Sequence, residues 1–183
     1  MNSSDEWFDV VDEQDRPIGR ASRHEVHARA LRHRAVHIWI LGTDDRLLIQ
    51  KRSASKDRHP SVWDSSASGH VDAGESYERS ARRETSEELG INPPPELTLL
   101  GKIPASIETD QEFVCLYLAR HNGPFVCPPD EIERVDWIAP DTLTQAMSER
   151  PAQFAPCFRH LWKTFSNALP SLSPSPQVTP KGV

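Results

Sequence analysis

A chain of 183 residues has room for one ordinary domain with a sizeable core, and its length alone does not ask for a second. The formal net charge of -6 argues against broad attraction to nucleic-acid polymers or anionic membranes, while a local basic groove for a small anion remains compatible with it. No apolar run approaches the roughly 20 residues of a membrane span, and the start is acidic where a secretory signal would be basic then apolar, so the expectation is a cytoplasmic protein, monomer or homodimer. Cys115, Cys127 and Cys157 form neither a redox pair nor a zinc pattern and read as free thiols.

In chain order, residues 7–11 read as a strand, 12–17 as a turn and 18–21 as the returning strand, giving an N-terminal hairpin within residues 5–21. Residues 35–41 are β-branched and aromatic, 42–45 form a turn and 47–50 resume the strand, which predicts a central hairpin. Residues 78–89 are rich in helix formers, with Ser76 as N-cap, Glu78 in the first turn, Gly90 at the C′ position and Pro93 beyond. Strands follow over 97–107, 112–119 and 134–138, then helices over 140–147 and 153–168. Trp39, Trp63 and Trp137 are expected in the core. The Pro/Ser-rich residues 170–183 have little to bury and read as a disordered tail after a single domain over 1–169. Strands interrupted by one helix and closed by others predict an α+β fold, helices flanking a mixed sheet.

The chemistry concentrates in residues 69–91. At about 100° per helical residue, Glu84, Glu87 and Glu88 share one face within an arc of about 100°. Three clustered anions that Arg83 alone cannot balance point to a hard divalent cation with oxygen ligands, Mg²⁺ first and Mn²⁺ as the alternative; the competing reading is a solvated acidic face. Gly69, Glu75, Arg83, Glu84, Glu87, Glu88, Gly90 and Ile91 occupy the slots of the Nudix box, Gly-x₅-Glu-x₇-Arg-Glu-U-x-Glu-Glu-x-Gly-U, where U is bulky and aliphatic. The chain therefore resembles the Nudix hydrolases. Only Thr85 departs, standing where the family prefers Ile, Leu or Val, and its buried hydroxyl would need a partner. The resemblance implies a Nudix fold, an α/β/α sandwich with a mixed central sheet. It also implies that Glu84, Glu87 and Glu88 bind metal with the Gly69 carbonyl while Glu75 orients Arg83, and that a small diphosphate compound is hydrolysed. The general base stays open among Glu84, Glu87, Glu112 and Glu108.

Beyond the box, Trp7-Phe8-Asp9-Val10-Val11-Asp12, His33-Arg34-Ala35, 47–52, Lys56, Pro60-Ser61-Val62-Trp63 and Gly69-His70 resemble the branch that includes type I isopentenyl diphosphate isomerase. Those enzymes carry a catalytic cysteine just before the Gly-His pair, where this chain has Ser68. They hold a metal on histidines and acids; His33, His70 and Glu112 match such positions, but Asp110 and Val26 occupy two of the others, and His27 is not expected to fill the slot at Val26. His33 reads as a satisfied polar residue. Lys51, Arg52 and Lys56 are expected to bind the diphosphate, as residues there do in the relatives. The leading reading is a Mg²⁺-dependent diphosphatase of a nucleoside or isoprenyl diphosphate, with no nucleic-acid polymer and no membrane as partner. The alternatives are an isomerase, disfavoured by Ser68 and the nearly intact box, and a non-catalytic diphosphate-binding module, disfavoured because every box glutamate is present.

Overall fold

The computed structural model describes residues 6–169; the tail expected over 170–183 lies outside the described residues. In order, the chain forms β1 (Trp7–Val11), β2 (Pro17–Ser22), α1 (Arg23–Ala28), β3 (His33–Leu41), β4 (Leu47–Arg52), β5 (Trp63–Asp64), β6 (Ala67–His70), α2 (Tyr77–Leu89), β7 (Thr98–Ile103), β8 (Glu112–Arg120), β9 (Ile132–Ile138), α3 (Pro140–Glu149) and α4 (Pro156–Phe165). β1 and β2 make a separate two-stranded hairpin, and the other seven strands share one mixed sheet. At its centre β3 and β8 run parallel, in register from His33 opposite Glu112 to Leu41 opposite Arg120.

Side chains alternate across a strand, so β3 sends Ala35, Trp39 and Leu41 to one face and Val36, Ile38 and Ile40 to the other. The first face packs with Leu143 of α3 and Phe158, Leu161 and Trp162 of α4; the second packs with Ala81 and Leu89 of α2. Cover on both faces is what a parallel strand pair requires, and the result is the α/β/α sandwich with a mixed sheet. Trp39 is fully buried in it, whereas Trp63 is only partly buried, its ring flanked by the Lys51 ammonium at 5.5 Å and the Arg134 guanidinium at 5.2 Å.

Several elements differ from the sequence reading, which had no strands at β5 and β6. The strand expected over 97–107 stops at Ile103, and the final helix is Pro156–Phe165 with short 3₁₀ turns on either side, since Pro156 suits a first helical position and not an interior one. α1 was not anticipated. It is a short helix whose N-cap, Ser22, accepts a hydrogen bond from the Glu25 N–H.

The central hairpin is the element that shapes the site. β3 and β4 pair only at Ile40 with Leu48 and at Leu41 with Leu47. Beyond that, β5 takes the freed edge of β4 at Gln50 and Lys51, and β6 takes the freed edge of β3 from Ala35 to Ile38. Parting two strands inside a core would orphan ladder groups. Ser66 at the vertex removes the problem: its hydroxyl donates to the Leu48 carbonyl at 2.5 Å and accepts from the Ile40 N–H at 2.8 Å. Below this vertex the two half-sheets diverge into a cleft.

Thr85 is fully buried on α2, and its hydroxyl donates back to the Ala81 carbonyl at 2.7 Å, so the polar atom at the aliphatic slot is satisfied within the helix. That carbonyl also has its helical N–H partner, so the hydroxyl is dispensable. Thr85→Val should raise stability by about 1 kcal/mol, roughly 2–4 °C in Tm. A lower Tm by calorimetry would show that the hydroxyl is required.

Candidate active site

α2 is N-capped by Ser76, whose hydroxyl accepts from the Arg79 N–H, and C-capped by Gly90, which sits at φ +68° and returns its N–H to the Ser86 carbonyl. A Cβ at Gly90 would lie 2.8 Å from the Val126 carbonyl oxygen, so both the turn and the close approach require glycine. The helix presents Glu84, Glu87 and Glu88, but the face is not a solvated one. Glu84 and Glu88 are 9% and 5% exposed, while the Glu87 side chain is mostly in solvent.

The acids are held in different ways. Glu88 Oε2 accepts from the Ser68 N–H at 2.9 Å and from Gln50 Nε2 at 3.0 Å. Arg83 Nη1 donates to Glu84 at 2.6 Å and to Glu87 at 3.1 Å, while its Nη2 donates to the His70 carbonyl at 3.0 Å and to Glu75 at 3.2 Å. Strand β6 passes so close that a Cβ on Gly69 would fall 2.1 Å from the Glu84 carboxyl. Burial and the neighbouring Glu88 push the Glu84 carboxyl well above the usual range, and burial pushes Glu88 up to about 7 despite its donors. A buried oxygen, Gln50 Oε1, has no partner among the described residues. Two raised, adjacent carboxyls beside one guanidinium, with a spare oxygen donor and a glycine cradle, fit a hard divalent cation; Glu84, Glu87, Glu88 and the Gly69 carbonyl are the atoms at hand.

A second cluster lies at the other end of β6. Ligand atoms of His27, His33 and His70 all come within 4.8 Å of one another, and Glu112 Oε1 lies 3.1 Å from His70 Nε2 and 3.5 Å from His33 Nε2. His33 is fully buried, with Nδ1 at 3.0 Å from the Leu31 carbonyl. A carbonyl only accepts, so Nδ1 carries a proton, while Nε2 faces the Glu112 carboxylate without a hydrogen bond of good geometry. His33 is therefore not the satisfied polar residue that its sequence suggested. His27 Nδ1, 3.3 Å from Asp110 Oδ2, and Nε2 are likewise buried without a hydrogen bond of good geometry, while His70 Nδ1 accepts from Arg23 Nη1 at 3.2 Å, which leaves the proton on Nε2 facing Glu112. Val26, at the expected histidine slot, packs in a small core with Phe8 and Ala21, and the turn of α1 brings His27 into the cluster instead. Phe8 of the N-terminal hairpin stacks on His70 at 4.5 Å between ring centroids and backs the group. Burial lowers the His70 pKa to about 4, and the imidazoles of His33 and His70 set against it hold the Glu112 carboxyl far below its usual range.

Both clusters open on one cavity of about 670 Å³, whose lining includes Arg23, Arg52, Lys56, Arg58, Glu84, Glu87, Glu88, Glu108 and Glu112. Arg52 and Lys56 thus face the box acids, with Lys56 ion-paired to Glu131. Lys51 does not line the cavity; one residue earlier on the strand, it points to the opposite face, over Trp63. Sequence reasoning missed His27, His37, Gln50 and Asp64. For His27 a signal existed: Ser22 followed three residues later by Glu25 is a helix-start pattern that would have revealed α1. The others are single polar residues in apolar strands, identifiable only once the strands part.

The raised carboxyls give a pH dependence. A folded pKa above the unfolded value stabilises the protein below about pH 4.5, and that contribution is lost as the pH rises through about 7 for Glu88. In chelator, the wild-type Tm should fall across this window relative to Glu88→Gln, and the Tm gain from millimolar Mg²⁺ should grow from pH 5 to pH 8. Equal Mg²⁺ gains at both pH values, measured by thermal unfolding, would contradict a cation at the box carboxylates.

The family model for the NUDIX domain matches residues 31–158. An uncharacterized Nudix hydrolase of Yersinia pestis is 40% identical over 144 residues, covering 79% of each chain. The uncharacterized Nudix hydrolase YfcD of Escherichia coli K12 is 35% identical over 147 residues, 80% of this chain and 81% of that one. Among solved structures, DR0079 of Deinococcus radiodurans superposes with a TM-score of 0.78 at 28% identity, covering 87% of this chain and 98% of that one. With the loop-helix geometry of residues 69–91 in place, these likenesses make the chain a member of the Nudix family, a hydrolase acting on pyrophosphate bonds.

Proposed function

We propose that this hydrolase is a Mg²⁺-dependent enzyme that cleaves the diphosphate linkage of a small X-diphosphate compound, X being a nucleoside or an isoprenyl alcohol. The observation that carries the reading is the pair of buried carboxylates, Glu84 and Glu88, facing Arg52 and Lys56 across one cavity. Mg²⁺, or Mn²⁺ in its place, would be held by Glu84, Glu87, Glu88 and the Gly69 carbonyl and would neutralise charge developing on the phosphates. Arg52 and Lys56 bind the phosphate oxygens. Arg83, tied to Glu75 and the His70 carbonyl, positions Glu84 and Glu87. These two carboxylates line the cavity and are the groups at hand to accept the proton of the attacking water; Glu112 is engaged by His33 and His70, and its depressed pKa makes it a weak base. An acidic chain with three free thiols fits a reducing cytoplasm.

A second reading, isomerisation, is favoured by one observation. The ring nitrogens of His27, His33 and His70, which lie within 4.8 Å of one another beside Glu112, suit a second divalent ion of the kind the resembling isomerases hold. Against it, the group at the cysteine slot is the Ser68 hydroxyl, which has no hydrogen-bonded base among the described residues and is a poor proton donor to carbon.

Wild-type protein should release phosphate from diphosphate compounds only with Mg²⁺ or Mn²⁺, and Glu88→Gln should lose most of this turnover, about 10²-fold or more, while melting as a folded protein. Near wild-type turnover of Glu88→Gln at saturating Mg²⁺ would remove Glu88 from the metal site. In heavy water, deuterium entering isopentenyl diphosphate at a rate comparable with hydrolysis would favour isomerisation instead.

A further inference from the structure

Two of the cations that line the cavity are already engaged. Lys56 and Arg58 stand two residues apart on the loop between β4 and β5, and both turn into the cavity. Each is held by a carboxylate that lines it too. Lys56 Nζ pairs with Glu131, from the segment before β9, and Arg58 Nη2 pairs at 2.5 Å with Asp110, from the segment before β8. The ammonium assigned above to a phosphate oxygen is thus occupied by an acid of the chain itself, and its neighbour Arg58 is occupied in the same way.

Both pairs are built to be given up. No residue from Ala54 to Ser61 is buried, so the loop keeps its place through polar ties. The Ser53 N–H donates to the Glu131 carbonyl at 3.0 Å, the Ser55 hydroxyl to the Asp130 carbonyl at 3.1 Å, and Arg52 Nη2 to the Arg58 carbonyl at 3.2 Å. These ties leave out the Lys56 and Arg58 side-chain cations, which are therefore able to change partners while the loop stays in place. The carboxylates are partly exposed, Glu131 42% and Asp110 35%, and an ion pair in such a setting is worth little because water solvates both partners nearly as well. Asp110, whose Oδ2 also lies 3.3 Å from His27 Nδ1, is held there at a cost. It sits at φ +56° and Gln111 at φ +65°, a left-handed conformation that non-glycine residues keep only where their surroundings impose it, and such residues gather at binding sites.

We propose that Glu131 and Asp110 stand in for phosphate groups in the free enzyme, and that Arg58 joins Lys56 in binding the substrate's diphosphate once the two carboxylates are displaced. The proposal rests on the diphosphate reading above; it adds Arg58 to the phosphate site and gives each loop cation an internal competitor. A diphosphate brings more charge than a carboxylate and pairs with a guanidinium through two parallel hydrogen bonds, while the displaced carboxylates turn to water. Acids outnumber arginines and lysines in the lining, so an entering anion finds its cations chiefly by taking them over from acids. The exchange makes Glu131 and Asp110 autoinhibitory contacts, whose removal strengthens the binding of a diphosphate.

The probe is methylenediphosphonate, a non-cleavable diphosphate, titrated with Mg²⁺ into the full chain by calorimetry. Glu131→Gln and Asp110→Asn should each lower its Kd about threefold to fivefold, whereas Arg58→Gln should raise it about tenfold. Should Arg58→Gln not fold, Arg58→Lys, which keeps the charge and loses the paired donors, should still raise the Kd about threefold. Pairs with only a structural role predict the same sign from both partners. An unchanged or raised Kd in Glu131→Gln, or no loss of affinity in the Arg58 variants, therefore overturns the exchange. Glu108→Gln controls for the loss of one negative charge, since Glu108 lines the cavity without pairing to Lys56 or Arg58. Its Kd should change by less than about twofold, and a tightening equal to that of Glu131→Gln would reduce the effect to net charge and overturn the exchange as well. Phosphate release from diphosphate compounds is measured alongside. The expected Kd pattern without Mg²⁺-dependent turnover of any of them overturns the hydrolase reading and leaves the exchange standing, while turnover with the wrong signs overturns the exchange alone. Absence of diphosphonate binding in both the wild type and Glu131→Gln overturns both.

Discussion

Two carboxyl groups, Glu84 and Glu88, are buried side by side on the inner face of α2, and much of the surrounding structure serves to make that tolerable. Burying adjacent anions is costly unless each finds donors or a cation. Glu88 takes a backbone N–H and the Gln50 amide, and Glu84 takes Arg83. Arg83 must itself be held, and Glu75 and the His70 carbonyl do so. Gly69 has no side chain because the Glu84 carboxyl occupies the space a Cβ would fill. Even so, both carboxyls remain raised, and a divalent cation relieves what the protein's own donors leave over.

The same demand for satisfied polar groups explains the cleft. β3 and β4 leave each other after two residue pairs, and the short strands β5 and β6 occupy the freed edges. Ser66 repairs the backbone at the vertex, and Ser65 links Trp39 in the core to His37 at the cavity wall. The cavity wall at His37 is thus continuous with the hydrogen bonding that lets the sheet open. The N-terminal hairpin contributes from the other side. Asp9 accepts from the Gly74 N–H, tying the hairpin to the loop before α2, and Phe8 covers His70.

The histidine cluster and the box acids differ in kind. Carboxylates and a backbone carbonyl suit Mg²⁺, whereas imidazole nitrogens around one carboxylate suit softer divalent metals. Both open on one cavity, yet His70 links them directly: its carbonyl accepts from Arg83 while its ring faces Glu112. A single residue of β6 thus contacts both clusters.

The sequence alone determined the class of fold, the helix of residues 78–89 with its caps, and the grouping of Glu84, Glu87 and Glu88, because each depends on periodicity and spacing within a short segment. Thr85 was legible as a departure, though not its back-bond to Ala81. Tertiary structure decided whatever depends on which segments meet. It buried two of the three box acids, turned Lys51 away from the cavity while keeping Arg52 in it, and brought His27, from an unanticipated helix, beside His33 and His70. It also placed His37 opposite Ser68 and beside Ser65, joining strands whose sequences show only isolated polar residues among apolar ones. The physical reason is the same in each case: the burial of a polar side chain, and hence its pKa and its free hydrogen-bonding atoms, is set by neighbours distant in the chain, and no local pattern encodes them.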